Sequence, residues 1–243
     1  MNTGKSGKHA LVVGGTGGMG GAITRQLRGA GYTVAATFFS EPDGREEDVA
    51  YYQVDVRSDA SIKTMIEMAQ KESGLLDALV YAPGSPLPYK RFSELKWADV
   101  QEQIDVHARG LFNIAQGIRP QLKKHPLRLV VILTEACFSQ SQRHARMIDY
   151  ILAKQAQMSL AKSLAAEFSA YHSTVNMVSP GLTKTALVAR LPERMLEAEA
   201  AENPMQRITT PDDVAGAVVF LLSDAAAYIS GENIMVNGGN VMQ

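Results

Sequence analysis

The sequence predicts an α/β protein whose parallel sheet is doubly wound, with helices on both faces. Three observations lead there. Short apolar runs alternate with helix-periodic segments along the whole chain, a glycine cluster separates the first run from the first helix, and 243 residues suit a single domain of this kind. With 46% hydrophobic and 20% charged residues the chain can bury a large core, which excludes disorder.

Taken in order, residues 10–13 form the first apolar run, and Ala22, Ile23, Leu27 and Ala30 then recur at helical spacing as far as Gly31. Residues 34–39 read as a second buried strand. A polar stretch follows, then a strand at 51–56 and a helix at 60–72. The fourth strand, 78–82, stops at Pro83 and Gly84; helices follow around 92–118, and 129–133 is the fifth strand. A long helix over 147–171, a strand at 174–178, a helix at 212–222 and a last strand at 233–236 complete the pattern. Runs apolar on both faces suit parallel strands covered on each side. Residues 1–243 are expected to form one domain, with the polar, Met-bearing stretch 183–207 as a substrate lid.

Composition narrows the function classes. The 24 basic and 25 acidic residues give a net charge of −1, so the surplus of cations that nucleic-acid binding draws on is missing. The single Cys137 has no intramolecular partner, and the histidines at 9, 107, 125, 144 and 172 share no metal-ligand spacing with it. No metal is expected, and the reading is cytoplasmic. The apolar run after the N-terminal lysines is too short for a signal peptide or a membrane span, so no membrane partner is expected.

The glycine loop, Gly14, Gly15, Thr16, Gly17, Gly18, Met19, Gly20 and Gly21, lies between a strand and a helix. Glycines let the backbone turn sharply and approach a pyrophosphate, whose charge the free N–H groups and dipole of a helix start stabilise. This context makes the loop a dinucleotide site of Rossmann type. Gly4, Lys5 and Ser6 imitate the end of a P-loop, but no strand and no earlier glycine accompany them.

Tyr150 and Lys154, four residues apart at the start of the long helix, share one face. An ammonium beside a phenol favours the phenolate, and the expectation is that Lys154 lowers the Tyr150 pKa and makes it a general acid or base. Standing alone, such a pair is ordinary on a helix; behind a glycine loop it acquires meaning.

Together these features resemble the short-chain dehydrogenase/reductase family over nearly the whole chain. Gly14, Gly18 and Gly20 match its T-G-x-x-x-G-x-G loop with Val13 in the Thr place, Tyr150 and Lys154 match Y-x-x-x-K, and Asp55 and Val56 match the pair that contacts adenine. Pro180, Gly181 and Thr185 match the P-G-x-x-x-T segment over the nicotinamide, which also includes Leu182 and Thr183. Pro211 to Val214, Gly231 and residues 236–239 fit as well. The resemblance implies a carbonyl reductase, or the alcohol dehydrogenase of the reverse direction, using NAD(P)H. It implies Tyr150 as proton donor and Lys154 as the residue that holds the ribose. In general look it is nearest to the 3-oxoacyl carrier-protein reductases.

Four departures stand out. The family's N-N-A-G reads Tyr81, Ala82, Pro83, Gly84, which still lets backbone approach the ribose although Pro83 donates no hydrogen bond. The family's asparagine, which holds a proton-relaying water, aligns with His107; an imidazole could relay protons itself, or be an ordinary buried histidine. By strand register the catalytic serine's place falls on Glu135, and by spacing from Tyr150 it falls on Cys137. A protonated Glu135 could donate to a carbonyl, whereas an outward-facing Glu135 would leave the role to Thr134 or Ser139. Last, the end of the second strand carries Phe38, Phe39 and Ser40 instead of a ribose-binding carboxylate. That favours NADP over NAD, with Ser40 and Arg45 as ligands for the 2′-phosphate.

The partners implied are a small-molecule or carrier-tethered carbonyl compound and further copies of the chain in a homodimer or homotetramer. Leu111, Ile114, Ile118, Met158, Leu160 and Leu164 are apolar stripes for that association or for the core. Arg109, Arg119, Lys123 and Lys124 suit an acidic carrier protein or a solvated helix face. The loss of serine and asparagine leaves two other readings open: a catalytically impaired cofactor-binding or regulatory protein, and a dehydratase or epimerase using Glu135 and His107.

Overall fold

In the computed structural model, residues 7–41, 45–87, 89–139, 145–185 and 193–243 are described. Three strands and two helices open the chain: β1 (His9–Val13), α1 (Gly18–Gly29), β2 (Thr33–Phe38), β3 (Ala50–Gln53) and α2 (Asp59–Ser73). After β4 (Ala78–Tyr81), α3 (Trp97–Ile104) runs through a widened π turn, Asp105–Arg109, into α4 (Gly110–Leu122). Then come β5 (Arg128–Ile132), α5 (Ile148–Phe168), β6 (Thr174–Pro180), α6 (Glu193–Glu202), α7 (Pro211–Leu222) and β7 (Asn233–Val236).

All seven strands pair in parallel in the order β3-β2-β1-β4-β5-β6-β7. This is the doubly wound, Rossmann-type α/β fold, and the order reverses between β1 and β4. There the connections after β1 and β4 run to opposite faces of the sheet, which in folds of this kind places the ligand crevice at the carboxyl ends of the strands.

Alternate strand residues feed two cores, because successive side chains point to opposite faces. Leu11, Val13, Leu79, Tyr81, Leu129 and Val131 face α2, α4 and α5; Ala10, Val12, Val80 and Val130 face α1 and α7. The apolar stripes offered for association belong mostly to the first core. Leu111, Ile114, Ile118 and Leu164 are buried within one chain, with Met158 and Leu160 packed against them. The helical periodicity that marked them is satisfied by the sheet, leaving Phe112 on α4 and Leu152 on α5 as the exposed large apolar side chains of those helices.

Three boundaries differ from expectation. The third strand ends at Gln53, with one last bond from the Val54 amide to the Phe38 carbonyl at 2.8 Å, and Val54 and Val56 are then buried as the chain descends into α2. Of the helices expected over 92–118, the α-helical part begins only at Trp97, after a 3-10 turn at Phe92–Glu94, and runs on to Leu122. Within the expected lid, α6 was missed because its Ala and Glu residues give one buried position, Leu196; residues 186–192 of that stretch lie outside the described residues.

Candidate active site

The glycine loop sits at the switch point, and its backbone geometry explains its composition. Gly14 has φ +79°, and a Cβ there would lie 2.7 Å from the Ala82 carbonyl oxygen. A Cβ on Gly20 would run into the Gly14 carbonyl, and one on Gly18 would lie 2.9 Å from the Thr185 side chain. The loop is therefore pressed between the β4 exit, Ala82 and Pro83, and the segment after β6. Gly17 caps α1 without a side-chain hydrogen bond, so no side chain competes with an anion there. Thr16 and Met19 are half-buried, and Gly17, Gly18 and Gly84 are exposed. These features fit a pyrophosphate cradle.

On the far side of the crevice, α5 carries Tyr150 and Lys154, 7% and 3% exposed. The Lys154 Nζ lies 5.7 Å from the centroid of the Tyr150 ring and donates to the Ile132 carbonyl at 2.8 Å and to Gln157 Oε1 at 3.0 Å. Burial lowers the lysine pKa to about 7. The same burial pushes the Tyr150 phenol up, Cys137 adds to the rise, and a hydrogen bond with the Thr134 hydroxyl opposes it. The expected depression of the Tyr150 pKa by Lys154 is thus corrected: desolvation outweighs any help from an ammonium that is itself half discharged near neutral pH.

The hydroxyl at the phenol is that of Thr134. Its Oγ1 also accepts, at 3.3 Å, from the Ala136 amide, at the start of the 3-10 turn Glu135–Cys137. Glu135, placed in the pocket by strand register, turns the other way. It is 6% exposed, and its carboxylate accepts from Asn237 Nδ2 at 2.9 Å and from Asn240 Nδ2 at 3.1 Å. Alternation along an extended strand puts consecutive side chains on opposite sides, and Thr134 is still extended, at φ −163° and ψ 146°. Cys137, half-buried, has its thiol pKa raised by burial to about 11 and is not a thiolate nucleophile.

His107 occupies the π turn, 1% exposed, with its ring edge-on to Tyr150 at 5.5 Å between centroids. Among the described residues neither ring nitrogen has a hydrogen-bond partner. Burial, and secondarily Lys154, holds its pKa well below the usual histidine value, so the imidazole is neutral. Two orphaned nitrogens in a dry setting point to water or a ligand at this position.

At the adenosine end, Asp55 is grasped by Arg57 through Nε at 2.9 Å and a second nitrogen at 2.8 Å, which lowers the carboxyl pKa. Arg57 also lies 5.3 Å from the ring of Phe39, which is 62% exposed. Arg45 lies 4.9 Å from the Phe38 ring and pairs with Glu41; Ser40 is exposed beside them. Pro180 and Thr183 are buried, Gly181, Leu182 and Thr185 half-buried, where the chain leaves β6 over the crevice. Sequence reasoning missed Arg57, Gln157 and Tyr89, the last sensed electrostatically by Tyr150. Only the position of Arg57, two residues beyond Asp55, could have signalled its role.

A dinucleotide cradle at the switch point, facing a buried tyrosine–lysine pair, defines an oxidoreductase of the nicotinamide-dependent class. A family model described as enoyl-(acyl carrier protein) reductase matches residues 14–240, and the chain belongs to the short-chain dehydrogenase/reductase family, as an NAD(P)-dependent oxidoreductase. It is 32% identical to the acetoacetyl-CoA reductase of Shinella zoogloeoides, over 95% of this chain and 97% of that protein. It is 30% identical to the 3-oxoacyl-(acyl-carrier-protein) reductase FabG of Staphylococcus epidermidis, over 97% of this chain and 99% of that one. Among solved structures, ElxO with NADP bound superposes with a TM-score of 0.87 at 25% identity, covering 96% of this chain and 98% of that one. No helix among the described residues is long and apolar enough to cross a membrane.

Proposed function

We propose that the chain reduces the keto group of a 3-oxoacyl thioester with NADPH. The observation that carries this reading is the convergence of Tyr150, Lys154 and the Thr134 hydroxyl at the carboxyl end of the sheet, opposite the glycine cradle. The two relatives act, by their names, on acetoacetyl-CoA and on 3-oxoacyl carrier-protein thioesters, which supports the substrate class.

When bound, the nicotinamide supplies hydride to the carbonyl carbon. The chain's own residues manage the proton and the geometry. Tyr150, kept protonated by burial, donates its phenolic proton to the carbonyl oxygen, so the alkoxide that hydride addition would leave is never released. Thr134 donates a hydrogen bond that supports the phenolate formed. Lys154, close to half protonated near neutral pH, responds to the charge created on Tyr150 and meets the cofactor ribose. His107, neutral and with both ring nitrogens unpaired among the described residues, relays the replacement proton through water. Gly14, Thr16, Gly17, Gly18, Met19 and Gly20 hold the pyrophosphate; Ala82, Pro83 and Gly84 border the ribose. Pro180, Gly181, Leu182, Thr183 and Thr185 cover the nicotinamide, and Asp55 and Val56 meet the adenine.

The preference for NADPH rests on Phe38, where no carboxylate opposes a 2′-phosphate, and on Ser40, Arg45 and Arg57 around Phe39. NADP bound to ElxO is consistent with it. Residues 1–243 act as one domain in the cytoplasm, as a homodimer or homotetramer, with Phe112 and Leu152 in the contact. Stopped assays with acetoacetyl-CoA, following NADPH absorbance, test the reading. Turnover supports it; NADPH binding without turnover on any 3-oxoacyl thioester would replace it with the impaired, cofactor-binding alternative. The dehydratase or epimerase reading needs Glu135 at the reacting atoms, whereas its carboxylate is directed to Asn237 and Asn240.

A further inference from the structure

Glu135 follows directly after the hydroxyl that faces Tyr150, yet its own carboxylate joins three segments that are distant in sequence. One oxygen accepts from Asn237 and the other from Asn240, both in the turn after β7. Asn240 Nδ2 also lies 3.3 Å from Glu199 Oε1 in α6. The Asn237 carbonyl accepts, at 2.8 Å, from Nδ2 of Asn203, whose Oδ1 receives the Met205 amide just beyond α6. Asn237 further braces its own turn, donating to the Val241 carbonyl at 2.8 Å and accepting from the Gly239 amide at 3.1 Å. The turn leaves β7, and α6 follows β6, both at the carboxyl end of the sheet where the crevice opens.

A carboxylate buried to 6% exposure is strongly disfavoured unless donors surround it, and the Asn237 and Asn240 amides are among the groups that offset this cost. The gain is geometric. Two asparagine side chains, themselves tied to other backbone groups, are held at fixed distances from the end of β5.

We infer that Glu135 is a positioning residue, which clamps the C-terminal turn and the end of α6 over the substrate side of the crevice and thereby sets affinity for the acyl chain. The inference rests on the reductase reading for its substrate but not for its mechanics. Proton transfer belongs to Tyr150, and Glu135 acts on the walls around it.

The test exchanges donor and acceptor. Glu135→Gln turns an amide group toward one of the two asparagine donors; Asn240→Asp sets a second carboxylate against Glu135. Each alone should raise KM for acetoacetyl-CoA about tenfold, the equivalent of one charge-assisted hydrogen bond, with kcat and its pH profile nearly unchanged. Amide exchange of residues 237–241 and 196–206, measured on the NADPH-bound protein, should quicken in both. In the double variant the glutamine amide donates to the new aspartate, which still faces Glu199, so part of the lost affinity and of the slow exchange should return. A fall in kcat with a displaced pH profile and a steady KM would overturn the inference in favour of an acid-base role. Unchanged exchange in both single variants would overturn it as well. If the unaltered protein reduced no 3-oxoacyl thioester, the proposed function would fail while the exchange measurements still judged the clamp.

Discussion

Tyr150, Lys154 and His107 on one side of Thr134, and Glu135 with Asn237 on the other, are all less than a tenth exposed, but they are partnered differently. The Glu135 carboxylate and both polar atoms of the Asn237 side chain find partners within the chain. Among the described residues His107 has a partner for neither ring nitrogen, and Tyr150 and Lys154 on α5 are pushed toward their neutral forms. Seclusion alone does not make a site. A satisfied buried network rigidifies, whereas an unsatisfied one is destabilised until a ligand, a water or a transferred proton completes it.

The largest expected break in that contrast comes from removing the phenolic oxygen. Tyr150→Phe should lower kcat by about a thousandfold or more while NADPH affinity, read by protein fluorescence, stays within about twofold. If the variant kept most of its activity, the proton donor would have to be another group.

Lys154 allows a test through stability. Its pKa is about 7 in the folded protein and near its ordinary 10.5 when unfolded, so between these values the unfolded chain binds more protons and stability rises with pH. The rise should approach about 1 kcal/mol per pH unit across that window, measured by denaturant unfolding without cofactor, and Lys154→Met should flatten it. An equally steep rise in the variant would assign the effect elsewhere. Because the lysine charges as pH falls through about 7, kcat/KM should have an inflection there that Lys154→Met abolishes.

Thr134→Val sharpens the comparison at its midpoint. Loss of the hydroxyl should cost about 10- to 100-fold in kcat with little change in KM, the opposite division from that expected of Glu135→Gln. A KM effect instead would mean that Thr134 only supports the turn after β5. The smallest change concerns the cofactor's far end, where NADPH should bind more tightly than NADH. Arg45→Ala should weaken NADPH about threefold and leave NADH unaltered, since its guanidinium is already shared with Glu41 and solvent.

Most of the fold and half of the site could be read along the chain, for a common reason. Strand alternation, the glycine loop and the spacing of Tyr150 and Lys154 are local patterns, and local geometry turns them into position directly. What escaped depends on packing between distant elements. Whether Thr134 or Glu135 faces Tyr150 turns on one residue of strand phase followed by a 3-10 turn, and the donors that draw Glu135 away lie about a hundred residues later. The Tyr150 pKa went the other way because the spacing displays the lysine but not the dryness around it. The stripes Leu111, Ile114 and Ile118 have the same periodicity whether a sheet or a second subunit covers them.

The π turn before α4 sets an angle. An α-helix advances about 100° per residue, and a widened turn takes up an extra residue, so α4 is rotated against α3 by roughly that amount relative to an unbroken helix. The Tyr81 hydroxyl donates to the Val106 carbonyl at 2.6 Å, and Gly110 passes so close to that hydroxyl that any side chain would strike it. Together they index the helix like a key in a slot. Shortening 105–109 by one residue would turn α4 by about 100°, bringing Phe112 round to the sheet-facing place of Leu111 and Leu111 against the Tyr81 hydroxyl, where only a glycine fits.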